Sequence, residues 1–385
     1  MANKRPTTYE IAKLAGVSQS TVSMILNNNQ ASKFSDQTIQ KVRSVAAELG
    51  YDVSGRRAPR RVQTGNIAVL VPHLTNPYYS ELLEAIETEA IKTGQTLITL
   101  NVHKNPKAEL RQLELLLKLN VDGILFLYVP LNGQAVQDIS NSVPVVMVSD
   151  KSESMDIDAV EMSGFKSGMV IAEHLIALGH RHAAFISTNL SSAIIRRHRF
   201  EAISQVFCPA EGRSVFLYTP EVSDPSLPLD SFTVTYDIGY ALTHRVLREH
   251  PEVTALIGGN DQQSYGILDA LYDRKARVPE DFSVCGFDDN HPSRFRNISL
   301  TTVDPFIAHK GKEAYSILLR KIHALYQQQP VLTVKIEYSP GLLVRGSTGP
   351  CRSALYADIA EDKEPGAGAE PALLSDPQSS PDNTI

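Results

Sequence analysis

Between residues 7 and 27 the run T-T-Y-E-I-A-K-L-A-G-V-S-Q-S-T-V-S-M-I-L-N sets apolar positions at helical spacing in two short stretches. Thr7 and Glu10 have the spacing of a capping box, which opens a helix. Ile11, Leu14 and Ala15 predict its inward stripe, and Gly16 can adopt the left-handed backbone that ends it. Ser18 can cap a second helix with Val22, Ile25 and Leu26 inward and Gln19, Ser20, Thr21 and Ser23 outward. A third helix is predicted over 35–49, capped by Ser35, with Ile39, Val42, Ala46 and Leu49 on one face and Gly50 as its stop. Helix, tight turn and helix with a small polar outer face is the pattern of a helix-turn-helix, whose second helix enters a DNA major groove.

After Gly65 the period changes. Short Val- and Ile-rich runs predict strands at 67–71, 96–102, 121–127, 145–149, 182–187, 215–218, 255–257 and 283–287. Helical patterns lie between them at 80–92, 106–119, 164–178, 197–206, 239–248 and 263–274. Apolar strands alternating with helices predict α/β architecture, with parallel sheets covered on both faces. The strand–loop–helix at 67–92 is echoed at 182–206, which suggests two similar lobes. Ligands of such sheets bind beyond the carboxyl ends of the strands. The expected organisation is a headpiece over 1–51, a hinge over 52–64, a two-lobed core over 65–348 and a disordered acidic tail over 349–385.

Charge sharpens this division. Residues 1–61 hold 10 lysines and arginines against 4 acidic residues, a net of +6, while residues 62–385 hold 27 against 39, a net of −12. A basic segment on an acidic body marks a polyanion partner. Hydrophobic residues make up 42% of the 385-residue chain, as in globular proteins. The start lacks an apolar export signal, and the longest apolar runs are too short to span a membrane. Cys208, Cys285 and Cys351 lie far apart, with neither disulfide-framework nor zinc spacing, which fits a reducing cytoplasm. No cofactor or metal is expected.

Several further segments, in order, carry a family resemblance. They are A-A-E-L-G-Y at 46–51, N-P-Y-Y-S-E-L-L at 76–83, V-D-G-I-L at 121–125 and E-H-L-I-A-L-G-H-R-H at 173–182. G-N-D at 259–261, V-P-E-D-F-S-V-C-G-F-D-D at 278–289, L-T-T-V at 300–303 and V-R-G-S-T at 344–348 complete the set. With the opening motif, they make the chain resemble the LacI/GalR family of bacterial transcription regulators over roughly 7–348. The resemblance implies a helix-turn-helix headpiece joined by a hinge to a periplasmic-binding-protein-like core. It also implies a homodimer on a near-palindromic double-stranded operator, acting as a repressor, with DNA affinity tuned by a small effector such as a sugar, sugar phosphate or other polar metabolite.

By the same resemblance Gln19 and Ser20 reach base edges, and Thr21 and Ser23 meet phosphate. Thr7, Ser18, Met24 and Asn27 complete the candidate contacts in the headpiece. Gln can pair bidentately with adenine. Met24 departs from the family, whose members often carry an arginine there able to bond guanine; methionine makes only apolar contacts. The hinge departs as well. It holds no leucine to wedge into the minor groove, Pro59 limits any helix, and Arg56, Arg57, Arg60 and Arg61 supply charge instead.

In the core, Arg196 matches the family's R-x-x-G-F element, although Arg199 stands where glycine is usual. Asn260 and Asp261 match the pair after one strand, and Asp288 and Asp289 the turn after another. Asp288 is the better ligand candidate of that turn; its neighbour can simply hold the backbone. Tyr78, Tyr79 and Phe165 are candidate aromatic walls. Where relatives commonly open a helix with Asp-Asn, this chain has Gly164-Phe165, which suggests a less hydroxylated or partly aromatic effector. Three other readings stand beside this one: a regulator acting as activator, a solute-binding protein without a DNA role, and an enzyme using paired acids. The chain has no P-loop, G-x-G-x-x-G, G-x-S-x-G or H-E-x-x-H motif to support the last.

Overall fold

The computed structural model describes residues 7–26, 34–49, 51, 63–150, 155–190, 193–208, 212–220, 234–330 and 332–351. Asn27, Arg56, Arg57, Arg60, most of the hinge and nearly all of the tail lie outside the described residues. The chain divides into two compact units at Gln63/Thr64.

The first unit is three helices, α1 (Thr8–Ala15), α2 (Gln19–Leu26) and α3 (Asp36–Glu48). Ile11, Ala12, Ala15, Val22, Ile25, Val42 and Ala46 form its buried core. The inward stripe of α1 is Thr8, Ile11, Ala12 and Ala15. Leu14, expected inward, is 58% exposed. The i, i+3, i+4, i+7 stripe set by positions 8, 11, 12 and 15 leaves position 14 to the side.

The second unit holds two six-stranded sheets. The first uses β1 (Asn66–Val71), β2 (Thr96–Asn101), β3 (Gly123–Phe126), β4 (Val145–Asp150), β5 (Asp158–Met162) and β11 (Lys335–Tyr338). The second uses β6 (His182–Ile186), β7 (Ser214–Tyr218), β8 (Ala255–Gly258), β9 (Ser283–Phe287), β10 (Thr301–Asp304) and β12 (Gly341–Leu343). Their orders, β11-β5-β4-β3-β1-β2 and β12-β10-β9-β8-β6-β7, are the same arrangement twice. β1 and β6 hold equivalent places, so the echo between 67–92 and 182–206 is a repeat of structure. Among the described residues all strand pairings are parallel except β10 with β12.

Helices cover both faces of each sheet. On β1, Ile67, Val69 and Val71 enter one core while Ala68 and Leu70 enter the other, the two-residue alternation of a strand buried on both sides. The first lobe carries α4 (Pro77–Thr93), α5 (Pro106–Leu119), α6 (Gly133–Ser140) and α11 (Ile307–Gln327). The second carries α7 (Gly164–Ala177), α8 (Ile194–Phe207), α9 (Val234–Glu249) and α10 (Asp261–Asp273). The chain passes between the lobes after β5, after β10 and after β11. The second passage sends α11 back to the first lobe, where Ala314, Ile317, Leu318 and Ile322 pack on Ile67, Val69 and Val71.

Candidate functional sites

The headpiece turn is built as its sequence predicts. Thr7 N–H donates to Glu10 Oε2 at 2.7 Å and Glu10 N–H to Thr7 Oγ1 at 3.4 Å, closing a capping box. Gly16 takes φ 71°, a conformation that strains any residue with a Cβ. Ser18 Oγ accepts from Thr21 N–H at 3.1 Å and bonds the hydroxyls of Ser20 and Thr21 at 2.7 and 2.8 Å. Gln19 and Ser20 are exposed, and Ser23 and Met24 half-buried, along α2. Gln19 Nε2 donates to Thr8 Oγ1 at 3.1 Å, which ties the start of α2 to α1 and fixes the reach of the Gln19 amide.

In the core a cavity of about 410 Å³ is lined from both lobes at the carboxyl ends of the strands. That volume lies within the range of ordinary metabolite pockets. From the first lobe come Tyr78, Tyr79 and Asn76 at the start of α4, Lys104 after β2, Tyr128 after β3, Ser149 of β4 and Lys310 of α11. From the second come Arg196 and Arg199 of α8, Asn260 after β8 and Asp288 after β9. Thus Tyr78, Tyr79, Arg196, Asn260 and Asp288 meet in one place.

Two candidates stand elsewhere. Phe165, the second residue of α7, does not line the cavity. Asp261 is fully buried behind it: its carboxylate accepts from Ser293 Oγ at 2.6 Å, Thr302 Oγ1 at 2.6 Å and Asn290 N–H at 3.0 Å. Burial and the Asp288 charge raise the Asp261 pKa to about 7. It braces β8, β9 and β10 against one another from beneath the cavity. Asp289 is likewise a brace, held by Arg345 at 2.5 Å and Arg294 at 2.7 Å.

Arg199 changes the cavity floor. The residue is 3% exposed, and its guanidinium donates to Gly259 C=O at 2.8 Å and lies 4.1 Å above the Phe287 ring. It also stands 3.8 Å from Asp288 Oδ1. Asp288 sits at φ 118°, and burial raises its pKa to about 6 against the pull of Arg199, Arg196 and Lys310. Lys310 Nζ donates to Tyr78 Oη at 2.8 Å, and Arg196 donates to Thr188 Oγ1. Tyr128 Oη donates to the buried Glu109 at 2.5 Å, and Glu109 also accepts from the backbone of Leu131 and Asn132 at the cavity edge.

Lys104, Tyr128 and Lys310 were not among the residues singled out from the sequence. Lys310 could have been found, because I-A-H-K-G-K-E-A-Y-S-I-L-L repeats its apolar positions at helical spacing. Lys104 could not, since its place depends on a backbone turned to φ 50° and 49° at His103 and Lys104.

The headpiece and the two-lobed core define a class: a helix-turn-helix unit carried by a ligand-binding-protein architecture. Residues 7–54 match the family model described as "Bacterial regulatory proteins, lacI family". Residues 64–339 match "Periplasmic binding proteins and sugar binding domain of LacI family". The chain belongs to the LacI family and is a DNA-binding transcriptional regulator with an effector-binding domain. It is 29% identical over 345 residues to the HTH-type transcriptional repressor PurR of Haemophilus influenzae (strain PittEE), covering 89% of this chain and 98% of that protein. Among solved structures it resembles a LacI family regulator from Enterococcus faecium with bound ribose, at 23% identity and TM-score 0.62 over 74% of this chain and 100% of that one. It also resembles the regulator CelR in complex with cellobiose, at 22% identity and TM-score 0.61 over 89% and 100%. Among the described residues no helix is long and apolar enough to cross a membrane.

Proposed function

We propose that the chain is a cytoplasmic repressor that binds a near-palindromic operator as a homodimer and changes its DNA affinity when a small polar metabolite occupies the cavity between the lobes. The observation that carries this reading is the convergence of Tyr78, Tyr79 and Lys310 from one lobe with Arg196, Asn260 and Asp288 from the other. A ligand that bonds both lobes favours one relative setting of them, and that differential affinity is what shifts an equilibrium between two states. Gln19, Ser20, Thr21, Ser23 and Met24, with Thr7, Ser18 and Asn27 beside them, are proposed to read and hold the DNA, and Arg56, Arg57 and Arg60 to add phosphate contacts. The repressor sense follows the relatives, which are repressors by name.

A dimer suits both partners. One small headpiece contacts few bases, and two set one helical turn apart read twice the sequence. On the first lobe Leu110, Leu115, Leu117 and Leu119 of α5 are each 40–44% exposed, and Ile91 of α4 is 73% exposed, apolar surface that a second subunit can cover. The protein is proposed to act by binding alone. The acid pair at 288–289 offers only one carboxyl to the cavity, because Asp289 is committed to Arg294 and Arg345.

Selection from a pool of random duplexes tests the reading. The full chain should enrich two inverted half-sites, bound less tightly as salt rises. Enrichment of a single unpaired half-site would refute the dimer, and no enrichment would refute the operator.

A further inference from the structure

Among the described cavity-lining side chains are four cations, Lys104, Arg196, Arg199 and Lys310, and one carboxylate, Asp288. A neutral polyol offers nothing to compensate such an excess, and an anion does. The charges are also unevenly placed. Arg199, Arg196 and Lys310 all act on Asp288, so three of the four cations share one negative charge, and Lys104 is outside that set. Lys104 and Arg196 line the cavity from opposite lobes, and protein packed around the Lys104 ammonium, together with the Arg196 charge, lowers its pKa to about 8.

Two further features of the cavity donate rather than accept. Ala193, Ile194 and Ile195 line the cavity at the opening of α8, and Ala193 brings no capping side chain to the first-turn N–H groups. A helix start of this kind holds partial positive charge and orphan donors. Asn260 is 1% exposed; its Oδ1 accepts from Gln263 N–H at 3.1 Å, while its Nδ2 lacks a partner among the described residues. A buried amide donor beside a cavity calls for an acceptor on the ligand.

We propose that the effector carries an oxyanion group, a phosphate ester or a carboxylate, seated against Lys104, Arg196 and the start of α8, with its hydroxyl-bearing body toward Asp288 and Asn260. This rests on the cavity being the effector site. It goes further in naming the charge class of the ligand, and it gives Lys104 a role in closing the lobes. The anion would neutralise the Lys104–Arg196 repulsion, and that repulsion is relieved only when both residues reach it.

The test is thermal shift followed by calorimetry on the full chain with matched neutral and charged probes: glucose, glucose 6-phosphate and gluconate; ribose and ribose 5-phosphate; adenosine and its 5′-monophosphate. The expected result is a rise in melting temperature from charged members and none from their neutral counterparts at equal concentration. The phosphorylated and carboxylated hexoses tell which oxyanion is preferred. Lys104→Gln removes the Arg196 repulsion, so it should leave the melting temperature of the ligand-free protein the same or higher, and it should weaken the charged probe by about tenfold, the loss of one charge-assisted contact. Binding of a charged probe unchanged in Lys104→Gln, or no shift from any charged member, would overturn the proposal. A neutral probe that binds, is lost in Asp288→Asn and is kept in Lys104→Gln would overturn the oxyanion while leaving the cavity as the effector site.

Discussion

Arg199→Met removes a buried charge and leaves an aliphatic chain of similar length over Phe287. The structure sets the size of the effect. Arg199 is the largest of the charges that restrain the raised pKa of Asp288, and its guanidinium lies 3.8 Å from Oδ1. At an effective dielectric of about 20 that attraction is on the order of 4 kcal/mol. Arg196 and Lys310 remain and recover part of it. The bond to Gly259 C=O is lost as well, at a cost of about 1–3 kcal/mol for a buried acceptor left unmet. The expected loss of stability is about 3–5 kcal/mol where Asp288 is ionised.

Its dependence on pH is the sharper signature. A carboxyl whose folded pKa lies above its unfolded value is destabilising only where it must ionise. The penalty is absent below the unfolded pKa of 3.8 and complete above the folded pKa. Removing Arg199 moves the folded pKa up from about 6, so the variant should lose more stability at pH 8 than at pH 5. One unit of further shift makes the difference about 1.4 kcal/mol. Urea unfolding at both pH values, followed by tyrosine fluorescence because the chain has no tryptophan, measures it. A loss equal at the two pH values, or below about 0.5 kcal/mol at pH 8, the scale of an ordinary surface change, would refute the assignment of Arg199 as the counter-charge of Asp288.

Other outcomes follow from the same structure. An added Cβ at Gly168 of α7 would stand 2.3 Å from the backbone carbonyl of Arg199, so Gly168→Ala should displace α8, destabilise by about 1–3 kcal/mol or more in thermal unfolding, and weaken any effector that contacts Arg196; an unchanged melting temperature would contradict the close helix crossing. Met24→Arg should move operator preference toward guanine at one symmetric position of each half-site; an identical selected-site profile would show that position 24 does not face the bases. Asp261 has its pKa raised from 3.8 to about 7, so Asp261→Asn should flatten the fall of stability with rising pH between those values, and an unchanged slope in urea unfolding would mean that Asp261 is ionised throughout.

Much of this fold is legible in the residues because two of its determinants are local. The headpiece caps and turn are written in Thr7, Glu10, Gly16 and Ser18, and each makes the predicted bond or backbone angle. Of the eight strands read from the sequence, the central ones are Val- and Ile-rich runs that a parallel sheet buries on both faces, while β2 and β7 are half-buried edges. What escaped detection was β5, β10, β11, β12, α6 and α11. β10, β11 and β12 are only three or four residues long, and the partly exposed K-I-E-Y of β11 gains its identity only from pairing with β5. The chain's return to the first lobe after β10 is set by the sheet surface waiting there, which no local signal records. The site divides on the same line. Tyr78, Arg196, Asn260 and Asp288 follow or open regular elements at strand ends, where a family motif places them. Phe165 lies on a helix that begins where expected, yet it does not line the cavity, whereas α10 begins two residues earlier than expected and carries Asp261 beneath the cavity floor. Lys104 and Lys310 reach the cavity through a left-handed turn and a helix returned from the other lobe.

The central claim is that occupancy of the cavity alters DNA affinity, and one titration addresses it directly. A labelled duplex carrying the selected operator is titrated with the full chain, with and without a saturating small molecule from the thermal-shift panel, and followed by anisotropy. The account predicts a change in Kd of at least about fivefold, the lower end of ordinary coupling between two sites, and its disappearance in Arg196→Ala. An operator Kd that stays the same while calorimetry shows the cavity filled would contradict it.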